Sequence, residues 1–207
     1  MMNPSDTISL VTRSGVVGIV RTDSAARAVE LSRQIWSAGV SAVEVALTTP
    51  GGLDAISELA DDVPDGCVLG AGTVLDGTTA RLAVLAGAQL LVTPTLTEDV
   101  IETAGRYGAA TVIGTATPTE MLRAQTLGAD LVKVFPASQW TPKTLADVLQ
   151  ALPQLRCVPT GGVSPDTAAD WIRAGAAAVG IGSALTKGPD PAAQVRALLD
   201  AVGSARP

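Results

Sequence analysis

The sequence predicts an α/β protein of the (β/α)8 TIM barrel class, and three observations carry that expectation. Short apolar segments rich in Val, Ile and Leu alternate with segments of helical spacing eight times along the chain. Five strand segments are announced by the same phrase, a residue, then Gly, then Ala or Val: Ala38-Gly39-Val40, Ala86-Gly87-Ala88, Tyr107-Gly108-Ala109, Leu127-Gly128-Ala129 and Ala174-Gly175-Ala176. Each glycine suits the left-handed cap that ends a helix, so the phrase marks a return from helix to strand. Hydrophobic residues make up 47% of the 207 residues and aromatic ones only 2%, which gives the aliphatic core of a parallel sheet covered by helices. Alternation alone is shared with a doubly wound open sheet, but the count of eight favours closure.

In order, a polar start and a short segment fit to cap the barrel precede a strand at 15–20 that ends at Arg21. Thr22-Asp23-Ser24 supplies N-cap chemistry for a helix over 25–37, which carries Ala28, Val29, Ile35 and Trp36 on one face. A strand at 40–47, a loop at 48–52 and a helix at 53–60 follow. Further strands are expected near 68–72, 90–93, 111–114, 131–135, 157–159 and 178–182. Helices are expected near 77–86, 97–107, 118–127, 144–152 and 165–174. With no linker or composition shift, residues 1–207 read as one barrel domain with a short N-terminal extension.

A net charge of −6 and a pI near 4.6 argue against a nucleic-acid partner or an anionic membrane surface. No apolar run is long enough to span a bilayer, and the first residues lack a secretory pattern, so a cytoplasmic protein is expected. The absence of histidine removes the commonest general base and metal ligand, leaving acid-base work to carboxylates, lysine, hydroxyls or water. Cys67 and Cys157, ninety positions apart in apolar surroundings, read as free buried thiols in a reducing compartment.

In a barrel the chemistry sits where strands end. Those ends offer Arg21, Glu44, Thr73, Thr93 with Pro94, Thr115 with Thr117, Lys133 with Phe135, Thr160 with Gly161 and Gly162, and Gly182 with Ser183. Lys133, one of three lysines with Lys143 and Lys187, stands in the apolar strand Leu131-Val132-Lys133-Val134-Phe135, whereas the other two read as polar loop residues. A buried ammonium must be paired, neutralised as a nucleophile, or reach back to the surface. Glu44 lies in an equally apolar strand, and both residues stand five positions beyond a helix-ending glycine, Gly39 and Gly128. Equal offsets in equivalent units aim both side chains into one barrel. There they form either a structural ion pair or a nucleophile with its proton shuttle.

Thr160-Gly161-Gly162-Val163-Ser164 and Gly180-Ile181-Gly182-Ser183 follow the seventh and eighth strands, where glycines let an anion approach backbone N–H groups. Gly70-Ala71-Gly72-Thr73 lacks the spacing and acidic partner of a dinucleotide fingerprint.

Taken together and in order, Gly39-Val40-Ser41-Ala42-Val43-Glu44, Gly70-Ala71-Gly72-Thr73-Val74-Leu75, Val92-Thr93-Pro94, Lys133-Val134-Phe135-Pro136-Ala137 and Pro159-Thr160-Gly161-Gly162-Val163 resemble the 2-keto-3-deoxy-6-phosphogluconate aldolases and their relatives acting on the galactonate epimer and on 4-hydroxy-2-oxoglutarate. The resemblance implies a homotrimeric (β/α)8 enzyme that performs class I aldol chemistry with no metal or other cofactor. Lys133 would form the Schiff base with pyruvate and Glu44 would move protons. Thr73, Pro94 and Phe135 would line the pyruvate pocket, and Thr160, Gly161, Gly162, Gly182 and Ser183 would hold the phosphate end.

Two departures stand out. Phosphogluconate-type members read Glu-x-Thr-Leu-Arg, with the arginine on the substrate carboxylate, whereas this chain reads Glu44-Val45-Ala46-Leu47-Thr48-Thr49-Pro50, closer to the galactonate-type branch. Thr48 therefore takes the arginine's place in the substrate site, and Arg21 becomes the expected carboxylate partner. Ile113 precedes Gly114 where relatives commonly have proline. The implied reaction is cleavage of a phosphorylated 2-keto-3-deoxy sugar acid to pyruvate and glyceraldehyde 3-phosphate. An aldolase for an unphosphorylated or shorter 2-keto acid, and a phosphosugar-binding barrel without turnover, are the competing readings.

Overall fold

A computed structural model describes residues 2–186 and 190–206. Eight parallel strands run in the order β7-β6-β5-β4-β3-β2-β1-β8: β1 (Val16–Val20), β2 (Ala42–Ala46), β3 (Val68–Gly72), β4 (Leu90–Val92), β5 (Ala110–Thr115), β6 (Leu131–Val134), β7 (Cys157–Pro159) and β8 (Val179–Ile181). The two ends of the sheet meet through a parallel bridge between Thr160 and Gly180, which closes the barrel. The expected closure over the open sheet is thus observed.

Helix α1 (Pro4–Ser14) precedes β1, and the connecting helices are α2 (Ala25–Ser37), α3 (Gly52–Ala60), α4 (Gly77–Leu85), α5 (Glu98–Tyr107), α6 (Pro118–Thr126), α7 (Pro142–Ala151) and α8 (Pro165–Arg173), with α9 (Pro191–Ser204) after β8. The five glycines of the repeated phrase, Gly39, Gly87, Gly108, Gly128 and Gly175, all have positive φ, between 73° and 108°. Their backbone conformation makes the return from helix to strand.

Some boundaries differ from expectation. Helix α7 starts at Pro142 because Thr141 accepts a hydrogen bond from the Thr144 amide as its N-cap, which places Lys143 in a helical turn, paired with Asp147 on the surface. Lys187 lies outside the described residues. Helix α9 has no counterpart in the sequence reading, although Asp190 caps it by accepting from Ala193 N and Pro191 occupies its first turn.

The core has two compartments. Between strands and helices lies a large aliphatic cluster that includes Ile35, Ile56, Leu69, Ile113, Met121 and Leu145. Inside the barrel a smaller one, with Val17, Val68, Leu90, Val112, Leu131 and Val158, is closed from below by Ile8 and Val11 of α1. This dry floor leaves the opposite end, where the strands terminate, as the open side of the barrel.

The close approach of the loop after β4 to β5 depends on a missing side chain. A Cβ at Gly114 would lie 2.2 Å from the Pro94 carbonyl carbon, and the Gly114 amide donates to Thr93 Oγ1 at 2.9 Å. Gly114→Ala is therefore expected to lower stability by about 1–3 kcal/mol, the usual range for overpacking. Calorimetry would register this as a drop in Tm, and an unchanged Tm would contradict the account of this contact.

Candidate active site

The open end of the barrel holds a cavity of about 670 Å³. Strand β6 delivers Lys133 to it and β2 delivers Glu44. Their registers, Gly114–Lys133–Val158 and Ile19–Glu44–Gly70, put both in the layer above the aliphatic floor. The side chains are almost fully buried, Lys133 being 6% and Glu44 2% exposed. Every ion pair among the described residues lies on the surface, so the buried two face each other without direct contact. Glu44 Oε2 is buried with no hydrogen-bond partner among the described residues. Lys133 thus does not reach the surface, and no direct ion pair joins it to Glu44 among the described residues.

Electrostatics follow from burial. Desolvation pushes the Lys133 ammonium below the usual lysine range; the Glu44 charge opposes this, and the Arg21 charge adds to it. Desolvation likewise pushes the Glu44 carboxyl up, against the pull of Lys133 and Arg21. An amine that is easily made neutral, next to a carboxyl that readily holds a proton, is an arrangement for nucleophilic and proton-transfer chemistry. Phe135 sits beside the amine, with Nζ 5.0 Å from the ring centroid. Thr115 Oγ1 donates to the Lys133 carbonyl at 3.1 Å, fixing the strand that carries it.

Arg21, at the end of β1, reaches across the mouth to donate from Nη2 to Thr73 Oγ1 at 3.1 Å. Thr73 has φ +58°, a left-handed conformation strained for a β-branched residue. Thr48, Pro94 and Phe135 also line the cavity. Behind Thr48, the Thr49 hydroxyl accepts from the Thr22 amide at 3.2 Å and ties together the loops after β1 and β2.

The glycine loops after β7 and β8 form the other wall. The amides of Gly161, Gly162, Gly182 and Ser183 have no hydrogen-bond acceptor among the described residues, and all four residues line the cavity. Gly161 and Gly162 have φ of 82° and 95°, and a Cβ at Gly162 would lie 2.8 Å from Ser138 Cβ. Successive amides left without an acceptor beside a cavity are the kind of group that can receive an anion. Thr160 lines the cavity but uses its hydroxyl to donate to the Val158 carbonyl at 3.2 Å, so it serves barrel closure more than ligand contact.

All twelve site residues expected from the sequence therefore meet in one cavity. Leu31 and Ile35 of α2, together with Ala184 and Thr186, also line it and were missed. Ile35 was legible as part of an inward helix face, but helical periodicity does not say that this face also reaches the cavity.

A family model described as KDPG and KHG aldolase matches residues 7–194. The chain is 34% identical over 175 residues to the 2-dehydro-3-deoxy-6-phosphogalactonate aldolase of Escherichia coli K12, covering 84% of this chain and 85% of that protein. Among solved structures it is similar to one titled native KDPGal, at a TM-score of 0.85 and 33% identity, covering 92% of this chain and 95% of that one. It is also similar to the 2-keto-3-deoxy-6-phosphogluconate aldolase of Zymomonas mobilis ZM4 with 3-phosphoglycerate, at a TM-score of 0.82 and 28% identity, covering 98% and 97%. With the barrel, the buried lysine and glutamate and this likeness in hand, the chain belongs to the KDPG and KHG aldolase family and is an aldolase, a lyase.

Proposed function

We propose that this aldolase cleaves a 2-keto-3-deoxy-6-phospho sugar acid, of gluconate or galactonate type, to pyruvate and glyceraldehyde 3-phosphate through a Schiff base on Lys133. The observation that carries the reading is the amine of Lys133, buried in the cavity opposite an unpartnered Glu44 carboxylate oxygen. Neutral Lys133 attacks the C2 ketone, and the carbinolamine loses water with Glu44 supplying and accepting protons, directly or through water. The C4 hydroxyl then gives up its proton to the Glu44 carboxylate, directly or through water, as the C3–C4 bond breaks. Its electrons pass into the iminium, leaving the aldehyde and an enamine of pyruvate. Glu44 protonates C3, and water hydrolyses the resulting imine to free pyruvate and Lys133.

Arg21, steadied by Thr73, holds the substrate carboxylate in place of the arginine that Thr48 replaces. The amides of Gly161, Gly162, Gly182 and Ser183 receive the phosphate. Support for a phosphorylated substrate comes from the names of the relatives and from the 3-phosphoglycerate in the Zymomonas mobilis structure. The reading includes a homotrimer, supported by the family resemblance and by the exposure of Leu75, Leu82 and Leu85 on and before α4. It also includes a reducing, cytoplasmic setting, supported by the free thiols of Cys67 and Cys157.

Incubation with pyruvate and borohydride followed by peptide mass mapping is expected to give a reduced adduct on Lys133, lost in Lys133→Met. Absence of the adduct, or its appearance on Lys143, would contradict the mechanism. In the same preparation kcat/KM should fall about 10²-fold for the unphosphorylated substrate, the worth of one or two charged hydrogen bonds. Indifference to phosphate would remove the role given to the glycine loops.

Glu44→Gln should cost about 10²- to 10⁴-fold in kcat while altering the pH dependence of stability in a defined direction. The folded-state pKa of Glu44 lies above the usual glutamate value of 4.5. Below that value both states are protonated, and above it the unfolded state loses its proton first, so the wild type loses stability as pH rises from there toward the folded pKa. The Tm difference should therefore move in favour of Glu44→Gln as pH rises above the usual glutamate value of 4.5, and level off once the folded carboxyl has also ionised. A difference constant with pH would contradict the burial cost assigned to this carboxyl.

A further inference from the structure

The segment Gly70-Ala71-Gly72 of β3 touches no substrate in this mechanism, yet its two glycines lie against the Glu44 side chain. Glu44 is in register with Gly70 on the neighbouring strand. A Cβ at Gly70 would come within 3.3 Å of Glu44 Cβ, and one at Gly72 would lie 2.8 Å from Glu44 Cδ and 2.9 and 3.0 Å from its two carboxylate oxygens. Any side chain at position 72 would thus occupy the space that the carboxylate now fills. Neither glycine has a positive φ, so the strand backbone there accepts any residue and the requirement is one of space alone.

No hydrogen bond among the described residues holds the carboxylate, and Oε2 is buried and unpartnered. Its direction is therefore set by the attraction of Lys133 and Arg21 and by shape, and the shape is that of the two-glycine slot. We propose that Gly72, with Gly70 beneath it, is a positioning residue that aims the Glu44 carboxylate at the substrate carbon above Lys133. This rests on the Schiff-base reading above. The slot lets the longer acid lie flat against β3, which leaves the middle of the cavity open for substrate. A methyl group at position 72 pushes the carboxylate off that wall toward the cavity centre.

The step most sensitive to this displacement is proton transfer at C3 of the bound pyruvate. There the iminium on Lys133 loses a methyl proton to the Glu44 carboxylate and becomes the enamine, and the reverse transfer returns a proton or, in D2O, a deuteron. Displacements near 1 Å at a reacting group cost about 10²-fold in rate.

The test compares wild type, Gly72→Ala, Glu44→Asp and the double variant by pyruvate methyl exchange in D2O across pH, borohydride trapping and calorimetry. Wild-type trapping on Lys133 checks the Schiff-base reading separately, so its failure is distinguishable from failure of the slot. With trapping intact, Gly72→Ala should lose about 10²-fold in exchange rate, keep KM for pyruvate within a few-fold and shift the pH profile. Aspartate, one methylene shorter, draws the carboxylate back from the added methyl. Glu44→Asp should therefore cost less in the Gly72→Ala background than in wild type, and should restore folding if Gly72→Ala alone does not fold. Wild-type exchange and pH profile in Gly72→Ala, strict additivity of the two substitutions, or failure of both Gly72→Ala variants to fold would each overturn the proposal.

Discussion

Two ionisable side chains are almost fully buried at the bottom of one cavity, and the rest of the site follows from that burial. Removing an ammonium and a carboxylate from water is costly when they do not touch, and each responds by moving toward its neutral form. Lys133 and Glu44 both do so, with burial the largest cause in each. The aliphatic floor of the barrel and the α1 plug beneath it keep the surroundings apolar. Arg21, held at the rim by Thr73, adds a positive charge that depresses Lys133 further and restrains the rise of Glu44.

Much of the site is made by absent side chains. Gly70 and Gly72 leave a slot for Glu44, Gly114 lets the loop after β4 cross β5, and Gly180 makes room for Thr160 at the seam, where a Cβ would lie within 2.8 Å of the threonine Cγ2. A cavity of about 670 Å³ inside so small a barrel requires close strand and loop contacts around it. Those contacts leave no volume for methyl groups at these points.

The barrel and the meeting of Glu44 and Lys133 in one cavity were legible because both rest on local spacing. Helix-ending glycines marked the strand starts, and equal offsets from Gly39 and Gly128 brought Glu44 and Lys133 to one interior. The glycine loops at the cavity wall were legible because Gly161, Gly162, Gly180 and Gly182 cluster at the ends of the last two strands. What was not legible depends on contacts between strands. The purpose of Gly70 and Gly72 lies in a side chain more than twenty positions earlier, and the commitment of the Thr160 hydroxyl to Val158 depends on how the seam closes. Helix α9 and the start of α7 were missed for another reason, since their signals are the caps Asp190 and Thr141 rather than a strong apolar period.

The central claim is that the cavity holds the Lys133 amine ready to become neutral, with Glu44 as its opposing charge. The most direct measurement is an NMR titration of Lys133 in lysine-labelled protein, assigned by its loss in Lys133→Met. The account predicts a titration below the ordinary lysine value of about 10.4, moving lower still in Glu44→Gln as the attraction to that carboxylate is lost. A Lys133 that titrates at or above the ordinary value, unmoved by Glu44→Gln, would contradict it.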